Sequence, residues 1–132
     1  MEASGVIERI LYVEDAPDIR AVAELALVDV GGFEVQLCES GQQALELVGN
    51  FEPDLVLLDV MMPGMDGPAT LNALRNLDGG FDVPVVFMTA RLQPAEIEEY
   101  RAQGAIGVIP KPFDPMTLAE EIRALVASRP EA

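Results

Sequence analysis

Apolar residues in this chain follow two rhythms. Unbroken runs occur at Ile10–Val13 and Leu55–Leu58, and two more, Val83 to Met88 and Ile106 to Ile109, are broken only by Pro84 and Gly107. Runs of this length bounded by turn residues predict strands buried on both faces, as in a parallel sheet. The first strand extends back to Val6, and Pro84 is tolerable at the start of its strand. Phe33 to Cys38 alternates apolar and polar residues, the mark of an edge or half-buried strand. Between these runs, apolar residues return at helical spacing. Ile19, Val22, Ala23, Ala26 and Val30 follow Pro17, with Asp15 as a candidate N-cap and Gly31-Gly32 as the stop. Ser40 can cap a helix to about Asn50 with Ala44, Leu45 and Val48 inward. A third helix spans about Gly67 to Asn76, with Leu71, Leu74 and Leu77 on one face. A polar helix opens at Pro94 and ends before Gly104. Asp114-Pro115 starts a last one to about Ala127, with Leu118, Ile122, Leu125 and Val126 inward.

Five strands alternating with five helices predict an α/β fold, a parallel sheet with helices on both faces. Right-handed crossovers leave few strand orders, and the flavodoxin-like order 2-1-3-4-5 places the least apolar strand, the second, at an edge. The length of 132 residues suits one domain, with its core at about 6–127 and no repeat or internal linker.

Composition narrows the function. The formal net charge is −15 and no basic patch is visible, so direct binding to nucleic acid or to an anionic membrane is not expected. No stretch approaches the length of a membrane span, and Met1 to Gly5 has neither the basic nor the apolar region of a signal peptide. The single cysteine, Cys38, can form no internal disulfide and reads as a small core residue in a reducing cytoplasm. The absence of histidine removes histidine acid–base chemistry and histidine metal ligation, and Lys111 is the one lysine.

Chemistry gathers where the buried strands stop. The first strand is followed by Glu14 and Asp15, the third by Asp59, the fourth by Thr89 and the fifth by Lys111. In an open parallel sheet, ligands bind in the crevice outside these carboxyl ends. Taken singly, each residue has a plain structural reading: an N-cap for Asp15, a loop carboxylate for Asp59, a turn hydroxyl for Thr89, a solvated charge for Lys111. Asp114 has only its capping role. Together they are far less probable by chance. Three converging carboxylates repel, and a hard cation such as Mg2+ relieves the repulsion while leaving room for phosphate oxygens. A lysine and a hydroxyl suit the remaining oxygens of a phosphoryl group, so the set fits phosphoryl transfer.

The pattern resembles the receiver domain of two-component response regulators, with the CheY-like fold. Glu14-Asp15 is similar to the family's acidic pair, and Asp59 in Leu-Leu-Asp-Val-Met-Met-Pro-Gly-Met-Asp-Gly to its phosphoacceptor segment. Thr89 in Phe-Met-Thr-Ala resembles the switch hydroxyl, and Lys111 in Lys-Pro-Phe the phosphate-sensing lysine. The resemblance covers about Val6 to Ala127. It implies a signalling domain, not an enzyme, in which Asp59 is phosphorylated by a sensor histidine kinase or a histidine phosphotransfer protein. It implies Mg2+ held by Asp15, Asp59 and the backbone carbonyl of Met61, with Glu14 acting partly through water. It implies a cis bond between Lys111 and Pro112, an altered surface on the fourth helix, fifth strand and fifth helix that controls a partner protein, and room for a homodimer on phosphorylation. The family often has Tyr or Phe three residues before the lysine, where this chain has Val108. By the family's geometry Met61 and Arg91 flank the approach to Asp59. Neither can take a proton from water, so a long-lived aspartyl phosphate is expected. Two other readings stand beside this one: an Mg2+-dependent phosphatase or phosphotransferase using Asp59 as nucleophile, and a binding module with a vestigial site. The first lacks a second carboxylate two residues on, where Met61 stands, and the intact residue set argues against the second.

Overall fold

The computed structural model describes residues 7–77, 81–90 and 92–128. Five parallel strands, β1 (Arg9–Val13), β2 (Glu34–Cys38), β3 (Leu55–Asp59), β4 (Val85–Thr89) and β5 (Gly107–Pro110), lie in the order β2-β1-β3-β4-β5. This is the expected flavodoxin-like order, with β2 at one edge. The helices are α1 (Pro17–Glu24), α2 (Gly41–Phe51), α3 (Gly67–Arg75), α4 (Pro94–Ala102) and α5 (Leu118–Ser128).

Strand alternation splits the core in two. Ile10, Tyr12, Leu55, Leu57, Val86, Met88 and Ile109 pack against Ala23, Ala26 and Leu27 after β1 and against Leu118, Ile122 and Val126 of α5. Leu11, Val13, Val56, Leu58, Val85 and Phe87 face the other way, onto Ala44 and Val48 of α2, Leu71 and Leu74 of α3 and Tyr100 of α4. Both faces of β1, β3 and β4 are therefore dry, which is why their sequences are continuous apolar runs.

Local chemistry sets most boundaries. Ser40 Oγ accepts the Gln43 N–H at the start of α2, and Asp66 Oδ1 accepts the Ala69 N–H at the start of α3. Pro17 and Pro94 begin α1 and α4, where a missing N–H costs nothing. Gly104, at φ 114, turns the chain out of α4.

Three expectations are corrected. Asp15 does not cap α1; Ala16 takes that position without a side-chain bond, and Asp15 is left exposed at the sheet's rim. The first helix does not stay α-helical: Leu25–Val30 is a π-helix, closed by the Gly31 N–H on the Ala26 carbonyl at 3.0 Å. The wider turn shifts the phase, so Ala26 and Leu27 are buried while Val30 faces outward; Val22, ahead of the π-helix, is exposed as well. Third, α5 begins at Leu118, not at Pro115. Asp114 does cap, but it caps a preceding turn, accepting the Met116 N–H at 2.9 Å.

Candidate functional site

Because the strands are parallel and in register, their carboxyl ends meet at one rim. Val13 pairs with Leu58, so Glu14, one step on, comes level with Asp59. Asp59 pairs with Met88, and Thr89 with Pro110, which delivers Lys111 to the same rim. The Lys111–Pro112 bond is cis, as expected, and the Lys111 N–H donates to the Thr89 carbonyl at 3.0 Å. Alternation then sorts the side chains. Tyr12, Glu14, Asp59 and Lys111 fall on the α1/α5 side of the sheet. Thr89, in step with Val85 and Phe87, falls on the α2–α4 side and is buried there.

The structure brings Glu14, Asp15 and Asp59 together, with carboxylate oxygens within 4.8 Å of one another. Lys111 Nζ bridges two of them, donating to Glu14 Oε1 at 2.9 Å and Asp59 Oδ1 at 3.0 Å. Glu14 is 1% exposed and Asp59 2%, so these are bonds inside the protein, not a surface ion pair. Burial pushes the Glu14 carboxyl above its ordinary value; Lys111 pulls it back, while the charge of Asp59 raises it. Burial alone would lower the Lys111 ammonium, but its bonds to Glu14 and Asp59 hold it above its ordinary value.

Two residues enter that the sequence pattern did not single out. The Tyr12 hydroxyl donates to Glu14 Oε1 at 3.3 Å, from a fully buried ring. Arg20, in the first turns of α1, donates from Nη1 to the Glu14 carbonyl at 2.7 Å. A signal for Tyr12 was present: it is the one phenol in the apolar run Ile10 to Val13, and a buried phenol needs a partner.

The donor set suits a hard divalent cation, since every candidate ligand is an oxygen. The three carboxylates are not equivalent. Glu14 Oε1 is occupied by Tyr12 and Lys111, and Oε2 by the Ala16 N–H at 3.2 Å. Asp15 is open to solvent beside them. Met61, two residues past Asp59, is 62% exposed in the loop before α3. Arg91 lies outside the described residues. Val108 pairs with Phe87, and the ring of Tyr100 lies on that same side, 5.1 Å from Phe87 between centroids. An aromatic from α4 thus occupies the neighbourhood in which β5 offers only Val108.

Residues 10–123 match the family model for the response regulator receiver domain. The chain belongs to that family. It is 38% identical over 118 residues to the response regulator MprA of Mycobacterium sp. (strain KMS), covering 89% of this chain and 50% of that protein. It is also 38% identical over 117 residues to the DNA-binding response regulator MtrA of Mycolicibacterium smegmatis, with the same coverage of 89% and 50%. The chain therefore spans about half the length of the curated relatives it matches. Among solved structures, the chemotaxis protein CheY4 of Vibrio cholerae superposes with a TM-score of 0.82 at 30% identity, over 91% of this chain and 99% of that one.

Proposed function

We propose that this chain is a phosphorylatable receiver domain, accepting a phosphoryl group on Asp59 in an Mg2+-dependent reaction. The observation that carries the reading is the cluster itself: three carboxylates within 4.8 Å, with Lys111 between Glu14 and Asp59. The donor is the phosphohistidine of a sensor histidine kinase or of a histidine phosphotransfer protein. An Asp59 oxygen forms the new O–P bond, the N–P bond breaks, and the imidazole leaves with the electron pair. Asp15, Asp59 and the Met61 carbonyl would hold Mg2+, which would supply charge neutralisation for the transferring group. Lys111 already lies on Asp59 Oδ1 and needs only a small excursion to reach a phosphoryl oxygen. A phosphoryl group adds about −1.5 to −2 charges, which draws Lys111 and Thr89 toward it. Because Thr89 shares its side of the sheet with Val108 and Tyr100, while Lys111 follows β5 on the α5 side, the outgoing change emerges on the α4-β5-α5 surface. That surface controls a downstream partner protein in the cytoplasm. MtrA is a DNA-binding relative, which suggests that such control reaches DNA through a separate output domain, and the charge of −15 argues against contact by these residues themselves. A phosphatase reading finds no support at Met61, whose thioether cannot serve as acid or base.

The test is acetyl phosphate with Mg2+, followed by intact mass. One phosphoryl group should add to the parent and none to Asp59→Asn; continued labelling of that variant would sink the assignment.

A further inference from the structure

Glu14 Oε1 accepts from two donors of different kinds. Lys111 Nζ is charged, 2.9 Å away and at the end of a flexible stem that also reaches Asp59. The Tyr12 hydroxyl is neutral, 3.3 Å away and fixed, since its ring is fully buried among core side chains. Burial, then the charges of Glu14 and Asp59, push the phenol well above its ordinary value, so it stays a donor throughout the working pH range. The two donors separate when an anion arrives beside Asp59. Lys111 can follow the new charge; Tyr12 cannot move. Among the described residues, a carboxylate as buried as Glu14 then retains the Tyr12 hydroxyl on Oε1 and the Ala16 N–H on Oε2 as its protein donors. Without the hydroxyl, drawing Lys111 away would strand a buried oxygen, and that penalty would oppose the anion.

We propose that Tyr12 is a positioning residue of this site, holding Glu14 in place so that Lys111 can be released to an incoming phosphoryl group. The proposal rests on the reading of the site as a phosphoryl acceptor. It predicts a split between two ligands. Tyr12→Phe keeps the ring and removes only the hydroxyl. Mg2+ alone leaves Lys111 on Glu14, so its affinity should change less than about twofold. Beryllofluoride with Mg2+ calls Lys111 away, so its affinity should fall by about threefold or more. In a Glu14→Gln background no carboxylate remains to be held, and Tyr12→Phe should add nothing to the loss.

A second readout is spectroscopic. The chain has no tryptophan and two tyrosines, Tyr12 and Tyr100. In a Tyr100→Phe variant, emission reports Tyr12 alone. Beryllofluoride with Mg2+ should quench it as the phenol becomes the principal donor to Glu14, and Glu14→Gln should abolish that quenching. Three results would overturn the proposal: equal losses of Mg2+ and beryllofluoride affinity in Tyr12→Phe, additive losses with Glu14→Gln, or no quenching. If the parent itself binds no beryllofluoride, the phosphoryl-acceptor reading falls as well; if the parent binds and Tyr12→Phe matches it, only the role of Tyr12 falls.

Discussion

Single residues at the rim carry distinct electrostatic duties. Asp15 is open to solvent, whereas both Glu14 oxygens are already engaged. Asp15→Ala should therefore weaken Mg2+ binding more than Glu14→Ala, as read by titration calorimetry; equal losses would contradict the ranking. Lys111 sets a pH dependence. Its folded value lies above its ordinary 10.5, so the stability it contributes is complete below that pH and is lost as pH rises through the raised value. Tyr12, raised above its ordinary 10.0, acts in the same sense and the same alkaline window. The parent should accordingly lose stability steeply above about pH 10, and Lys111→Met should show a shallower alkaline slope. Denaturant midpoints measured across that range, without Mg2+, check this. Glu14, raised above its ordinary 4.5, is most favourable when neutral, and its contribution fades as pH rises through its own raised value. The site is thus assembled at a cost near neutrality, which Lys111 offsets.

At the scale of elements, β3 and the helix after it, α3, are joined by a close approach. A Cβ on Gly67 would lie 2.6 Å from the Asp59 carbonyl and 2.8 Å from Val60 Cα. The Gly67 N–H returns to the Val60 carbonyl at 2.9 Å, closing the loop. Gly67→Ala must push α3 off the end of β3, costing about 1–3 kcal/mol as other overpacking changes do. A methyl group on Gly49, in α2, would meet nothing within 4 Å, and Gly49→Ala should gain up to about 1 kcal/mol. Opposite shifts of the two urea midpoints are expected; a tolerated Gly67→Ala would show that the approach is not needed. The elements also show how far the sequence could be read. The runs at Ile10 and Leu55 and the caps at Ser40 and Asp66 declared themselves, because each rests on chemistry within a few residues. The π-helix did not. Its phase is set by docking on α5, where the Arg123 guanidinium reaches the Gly31 carbonyl at 2.7 Å and lies 4.4 Å from the Phe33 ring centroid. That partner is 92 residues away.

For the whole molecule, the strand-end carboxylates and Lys111 were legible because a parallel sheet sends every strand's end to one rim. Their division between two sides, and the parts of Tyr12 and Arg20, needed the register. The same scale governs net charge. Arg9 over Phe51, Arg75 over Phe81 and Arg123 over Phe33 each also donate to a backbone carbonyl. These cations fasten loops while keeping their charge, but 8 lysines and arginines against 23 acidic residues still leave a net charge of −15. Self-repulsion should therefore be large and screenable. Raising NaCl from about 10 to 500 mM shortens the Debye length from about 30 Å to under 10 Å, and the melting temperature should rise by several degrees. A flat or falling curve would mean that local ion pairs outweigh the repulsion.

The sheet that separates the two halves of the core has a consequence for descent. Tyr12, Glu14, Asp59 and Lys111 answer to α1 and α5; Thr89, Val108 and Tyr100 answer to α2, α3 and α4. Copies of such a gene can drift on one side of the wall while the other is preserved, since substitutions there meet different neighbours. A lineage can in this way change the packing beneath α4 without disturbing the buried carboxylates at the rim.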